Sequence, residues 1–257
     1  ATCDQTVVVT DVELPTIVCP ALVNVNTDAG ECSASGVDLG TPTVDDNCSV
    51  ASVSNNAPAI FPIGTTIVTW TVTDASGNMA TCDQTVVVTD VELPTIVCPA
   101  DIVSCSNIID LGVPVVNDNC GIASVSNDAP AVFPIGETTV VTWTVTDIHG
   151  NISNCYQSVS VSYIDFDVDA TQQVSCNDGN DGSITVNVNG STGTLEYILD
   201  GTLSQSHGNF TGLPAGTYEV VVTDENGCSI STGDIIISNP QVLDATANAS
   251  PQVSCHN

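Results

Sequence analysis

The 21 residues ATCDQTVVVTDVELPTIVCPA begin at Ala1 and recur unchanged from Ala80. A repeat this close, at a spacing of 79 residues, restricts the chain to an array of small modules. Residues that return in every copy then belong first to the architecture of the module. They belong only second to any site.

Within the period the apolar runs are short, β-branched and alternating: TIVTWTVTD, VVTWTVTD, SITVNVNG and TYEVVVTD. Each is closed by Asp, Asn, Gly or Pro, and no stretch keeps a 3.6-residue period. Strands with turn signals at this spacing predict β-sandwiches. The segments DASGN (Asp74 to Asn78), DIHGN (Asp147 to Asn151) and DENGC (Asp224 to Cys228) each follow a strand ending in Val-Thr-Asp and read as turns.

The period sets the boundaries. Residues 1–11 read as the end of a preceding repeat, followed by full copies at 12–90 and 91–163. Trp70 and Trp143 are equivalent and lie in the most hydrophobic strand of each copy, where a core position is expected. Residues 164–240 form a module of another kind. Because QVSC at Gln173 returns at Gln252, residues 241–257 read as the start of a further copy.

Charge narrows the partners. The chain has 30 Asp and Glu and no Lys or Arg, whereas an average chain is about a quarter charged with both signs present. Nucleic acid is excluded as a partner, because phosphate contacts need basic side chains. Anionic membrane surfaces repel such a chain, and no apolar run is long enough for insertion. Cations are attracted. Calcium is the candidate, since it takes carboxylate and carbonyl oxygens; plain solubility of an exposed stalk is the competing reason for the acidity. No cofactor is required.

The first two copies resemble the hyalin repeat (HYR) family. The likeness is carried by PTIVCP, DDNC or NDNC, FPIG, VTWTVTD, GN and a Cys opening the last strand. The third module resembles the SprB-type repeat, through SCNDGNDGSITV, FTGLPAGTY and VTDENGC. The resemblance implies all-β, tandem immunoglobulin-like sandwich modules in an elongated array. It also implies an extracellular setting on a bacterial cell surface, with type IX secretion and gliding adhesion as the context.

Twelve cysteines in an acidic chain without CxxC pairs point to disulfides. Four per HYR-like copy allow three pairings, which sequence alone leaves open. In the implied immunoglobulin-like sandwich the first and last strands run side by side. That arrangement favours first with fourth, Cys19 with Cys82 and Cys98 with Cys155, and second with third is then expected, Cys32 with Cys48 and Cys105 with Cys120. Cys176 is then expected to pair with Cys228, leaving Cys3 and Cys255 for partners in neighbouring copies.

Acidic groups cluster where modules meet. The expected calcium ligands are Asp11, Glu13, Asp90 and Glu92 in the two VTDVELP junctions. Asp45, Asp46 and Asp118 come from the loops before NC, and Asp74, Asn78, Asp147 and Asn151 from the turns. The same residue types are ordinary in turns. No catalytic residue is expected: nothing pairs Ser, His and Asp in a motif, and no basic group exists to hold an oxyanion. The expected function is that of a disulfide-stabilised structural or adhesive stalk within a large secreted surface protein. Its partners would be neighbouring repeats, other copies in a filament, or a surface or polysaccharide ligand. A carbohydrate-binding or accessory array of a secreted enzyme is the alternative.

Overall fold

The computed structural model describes residues 2–191 and 193–241, and among them the regular structure is strand, with no helix. Residues 242–257 lie outside the described residues, and with them Cys255 and the second QVSC motif. By contacts the chain forms two compact units. One comprises Ala1–Pro99, Gly112–Asp128 and Thr142–Tyr156; the other comprises Ala100–Leu111, Ala129–Val141 and the residues from Gln157 onward.

The first HYR-like copy is a sandwich. Its larger sheet runs in the order Val23–Asn26, Met79–Thr89, Gly64–Asp74, Val50–Asn55, and Ser33–Ser35 pairs with Ile60–Pro62. Val23–Asn26 lies parallel to Met79–Thr89, with Val23 opposite Val86 and Asn26 opposite Thr89. The other pairings are antiparallel. Alternation explains the core: Val68, Trp70 and Val72 point inward from one strand, and Val86 and Val88 from its neighbour, all at most 7% exposed. Ala34 and Phe61 close it from the opposite pair. Gln84 shares the inward parity and is 1% exposed. It accepts the Trp70 indole N–H at 2.9 Å and donates to the carbonyls of Ala21 and Leu39, each at 2.9 Å. A buried amide is thereby satisfied on both ends.

The second copy repeats the sheet with Ile102–Ser104, Ile152–Val161, Thr138–Asp147 and Ile122–Asn127. Trp143 is 6% exposed and Gln157 is fully buried, donating to the carbonyls of Ala100 and Leu111. Its first hairpin is six residues shorter in sequence, and a hydrogen bond from the Phe133 N–H to the Asn107 carbonyl stands where the first copy has a strand pair.

The third module is a separate sandwich. One sheet joins Asp165–Gln172, Gly182–Asn189 and Asn209–Leu213. The other joins Leu203–Gln205, Leu195–Leu199, Val220–Asp224 and Ser229–Ser231. Ile184, Phe210, Val220, Val222 and Ile237 fill it.

Strand direction decides the cystines. Cys19 bonds Cys82 and Cys98 bonds Cys155, within each copy. The remaining expected pairs do not form: Cys32 bonds Cys120, Cys105 bonds Cys228, and Cys48 and Cys176 are free and exposed. The reason is geometric. The parallel strand Val23–Asn26 delivers the following loop to the end of the sheet where the chain leaves, with the Thr27 N–H bonded to the Thr89 carbonyl. Cys48 sits beside Asp46 at the opposite end, where the chain enters. A pair Cys32–Cys48 would have to span the module, whereas Cys120 of the next copy lies at the leaving end. Cys105 follows the same rule, carried past Ser104 to the end where Ser162 bonds back to it.

Candidate cation site at the repeat junctions

Three short segments converge where a linker enters a copy. The first is the turn after the Trp strand. Asp74 ends that strand at an inward position and is 2% exposed. Its Oδ1 accepts the N–H groups of Ser76 and Asn78 at 2.9 and 2.7 Å, and its Oδ2 accepts the Asn78 side-chain amide at 2.7 Å. Gly77, with φ of 93°, supplies the left-handed residue the turn needs. Asp147 repeats the arrangement with the N–H groups of His149 and Asn151, both at 2.8 Å, and the Asn151 amide at 2.7 Å. Burial pushes the Asp74 and Asp147 carboxyls up. Hydrogen bonds outweigh it, those of the Asn78 and Asn151 amides first, and hold both below the usual carboxylate range. Both are therefore ionised at neutral pH.

The second segment is the loop before NC. Asp46 Oδ2 accepts the N–H groups of Cys48 and Ser49, each at 2.9 Å, and Asp118 Oδ2 those of Cys120 and Gly121, each at 2.8 Å. This turn uses one carboxylate oxygen and leaves the other free. The third segment is the linker. Asp11 Oδ1 accepts the Glu13 N–H, and Asp90 Oδ1 the Glu92 N–H, at 3.1 Å in each case.

The outcome is two equivalent clusters. Asp11, Asp46 and Asp74 each offer one oxygen within 4.8 Å of the other two, and so do Asp90, Asp118 and Asp147. Among the described residues, the buried side-chain oxygens without a hydrogen-bond partner are Asp11 Oδ2, Asp46 Oδ1, Asp118 Oδ1 and Asn119 Oδ1. All four fall in these clusters or beside them. Like charges brought together out of water repel strongly. The one cationic candidate nearby is His149, whose Nδ1 lies 3.1 Å from Asp90 Oδ2 and which forms an ion pair when protonated. Ser76 occupies the equivalent place in the first copy, which leaves that cluster uncompensated by protein. The Asp11 carboxylate also pushes the exposed Cys48 thiol up.

Of the expected ligands, the structure brings together Asp11, Asp46, Asp74, Asp90, Asp118 and Asp147. Asn78 and Asn151 hold the turn aspartates in place and reach the linker carbonyls of Asp11 and Asp90 at 3.4 Å. Glu13 and Glu92 turn to other partners: Glu13 accepts the Asn47 amide at 3.0 Å, and Glu92 accepts the Gly30 N–H at 2.8 Å. Asp45 is exposed and lies outside the cluster. Two contributors were not among the expected ligands, Asn119 and His149. Asn119 sits beside Asp118 in a loop with a copy at Asn47, a signal that sequence carries; His149 replaces Ser76 and has no counterpart to mark it.

Residues 10–88 match the HYR domain and residues 168–203 the SprB repeat. The chain carries an HYR domain and an SprB repeat. The chain is 37% identical over 165 residues to the sushi, von Willebrand factor type A, EGF and pentraxin domain-containing protein 1 of Rattus norvegicus. That match covers 59% of this chain and 4% of the relative. It is 33% identical over 154 residues to hyalin of Lytechinus variegatus, covering 52% of this chain and 29% of that protein. The chain thus spans a small part of the relatives it matches. Among solved structures, the titin segment I67–I69 aligns over 84% of this chain and 95% of its own at 8% identity and a TM-score of 0.42.

Proposed function

We propose that this chain is a structural and adhesive repeat segment of a large secreted protein, acting as a disulfide-stabilised stalk on a cell surface. The observation that carries the reading is the covalent topology. The bridges overlap: Cys32 to Cys120 crosses Cys98 to Cys155, and Cys105 to Cys228 begins inside both. The shortest covalent route from Cys19 to Cys228 crosses to Cys82, follows the chain to Cys105 and crosses again. Tension along the chain therefore bypasses most of each sandwich. That property suits a segment that bears force.

The duplicated carboxylate clusters support junctions held by divalent cations, calcium foremost, with the three carboxylates as ligands and waters completing the shell. Affinity in the range of extracellular modules, about 0.1–1 mM, suits such open sites. The SprB repeat supports a bacterial surface setting, with type IX export and gliding adhesion as its context. The segment has no catalytic activity in this reading, and its partners are neighbouring repeats and a surface or polysaccharide ligand. A carbohydrate-binding array is weaker: Trp70, Trp143, Phe61, Phe133, Phe210 and Tyr197 are buried, which leaves Tyr156 at 67% and Tyr163 at 42% as the strongly exposed aromatics.

Single-molecule pulling from the two ends tests the stalk. The oxidised chain releases only a small fraction of the length that the reduced chain releases. Equal extension before and after reduction would remove the mechanical reading.

A further inference from the structure

The two HYR-like copies present the same entry surface in two states. At the second copy the surface is occupied by the hairpin loop of the first. Glu92 accepts the Gly30 N–H at 2.8 Å, and the Asn119 amide donates to the Glu31 carbonyl at 2.9 Å. Cys120 closes the contact covalently with Cys32. Gly30 has φ of 76°, the left-handed conformation that favours glycine. At the first copy the equivalent residues are Glu13, Asn47 and Cys48. There the carboxylate and the amide bond one another at 3.0 Å, and Cys48 is free and exposed. The side chains that grip a loop in the second copy satisfy each other in the first.

We propose that Glu13, Asn47 and Cys48 form a docking receptacle for the first hairpin loop of a preceding HYR-type repeat, closed by a disulfide at Cys48. Two further observations commit the occupant. Residues 1–21 are identical to residues 80–100, so the segment leading into this surface is that of a last strand and linker. Val7, Val8 and Val9 are 73%, 81% and 90% exposed, whereas Val86 and Val88 of the same motif are at most 2% exposed inside a sheet. In the second copy the surface that follows this same strand and linker sequence is filled by the first hairpin loop of the copy that supplies the strand, so a loop of that kind is the ligand the first copy's surface fits. Its recognition chemistry is a turn with a glycine N–H, a carbonyl one residue on and a cysteine after it. On export the two thiols become one disulfide, while a protein or low-molecular-weight disulfide oxidant takes the two electrons and two protons and becomes two thiols.

The inference rests on the array reading and is tested on the full chain. The probe is a synthetic peptide of residues 25–35, its cysteine carried as a mixed disulfide with glutathione. The Cys48 thiolate attacks the peptide sulfur, the peptide–glutathione bond breaks, and glutathione leaves as the thiol. Adducts are mapped by mass spectrometry after cleavage at acidic residues, since the chain has no Lys or Arg. The expected result is about tenfold more peptide adduct at Cys48 than at Cys3 or Cys176, a preference equal to about 1.4 kcal/mol. Glu13→Ala with Asn47→Ala, both changes at exposed positions, brings Cys48 down to the level of the other two. A peptide with Pro in place of Gly30 loses the preference. Equal labelling of the three cysteines with Cys32–Cys120 intact overturns the receptacle and leaves the array standing. A Cys32–Cys48 bridge in the untreated chain overturns both. A covalent dimer through Cys48 assigns the surface to a second copy and overturns the choice of occupant.

Discussion

Gln84 ties the first copy together from within its core, where it is 1% exposed. It joins the Trp70 indole to two loop carbonyls from inside the sandwich. Removing it leaves buried donors and acceptors unpaired, and each such group costs about 1–3 kcal/mol. Gln84→Ala is expected to destabilise the first copy by about 3 kcal/mol or more, measured by urea unfolding with Trp70 fluorescence in a Trp143→Phe background. A loss below about 1 kcal/mol would mean that water replaces the amide. The tryptophans were legible from the alternation of VTWTV. Gln84 was legible too, because it shares the parity of Val86 and Val88, but a polar letter in a strand invites an outward reading. The carboxylate clusters were legible as residue types and not as a group. Asp11, Asp46 and Asp74 come from three segments whose convergence only the sheet creates, and Glu13 and Asp45, equally acidic in sequence, point elsewhere.

At the scale of elements, the strand TVVVT shows what a fixed sequence does in two surroundings. At 85–89 it is the last strand of a sheet; at 6–10 it has no sheet partner among the described residues and is exposed. An unpaired β-branched run is a template for association with another chain. Val8→Lys is expected to reduce self-association, followed by sedimentation over a concentration series, and to leave the melting of the sandwiches unchanged. Persistent association would place the sticky surface elsewhere. The hairpin loops give the complementary lesson. Cysteine counting could not find Cys32–Cys120, because sequence shows the spacing of a loop and not the end of the sheet at which it emerges. Parallel pairing of Val23–Asn26 with the last strand sends that loop out of its own copy. A bridge spanning 88 residues is worth about 4–5 kcal/mol on chain entropy, so the junction gains what the single module loses.

For the whole molecule, charge and covalent topology act together. With 30 acidic residues and no Lys or Arg, each junction gathers carboxylates, and among the described residues only the second has a basic side chain, His149, beside them. The overlapping bridges hold the segments that carry them in register. In the proposed reading, cations bound at these points stabilise the fold by mass action, about 2.7 kcal/mol when free calcium exceeds its dissociation constant a hundredfold. Equilibrium calcium binding to the oxidised chain at constant ionic strength tests the junction sites most directly. The account predicts two ions bound with dissociation constants of about 0.1–1 mM. It predicts one ion after Asp46→Asn, the other after Asp118→Asn, and none in the double variant. Undetectable binding at millimolar calcium, or binding unaffected by both substitutions, would contradict it.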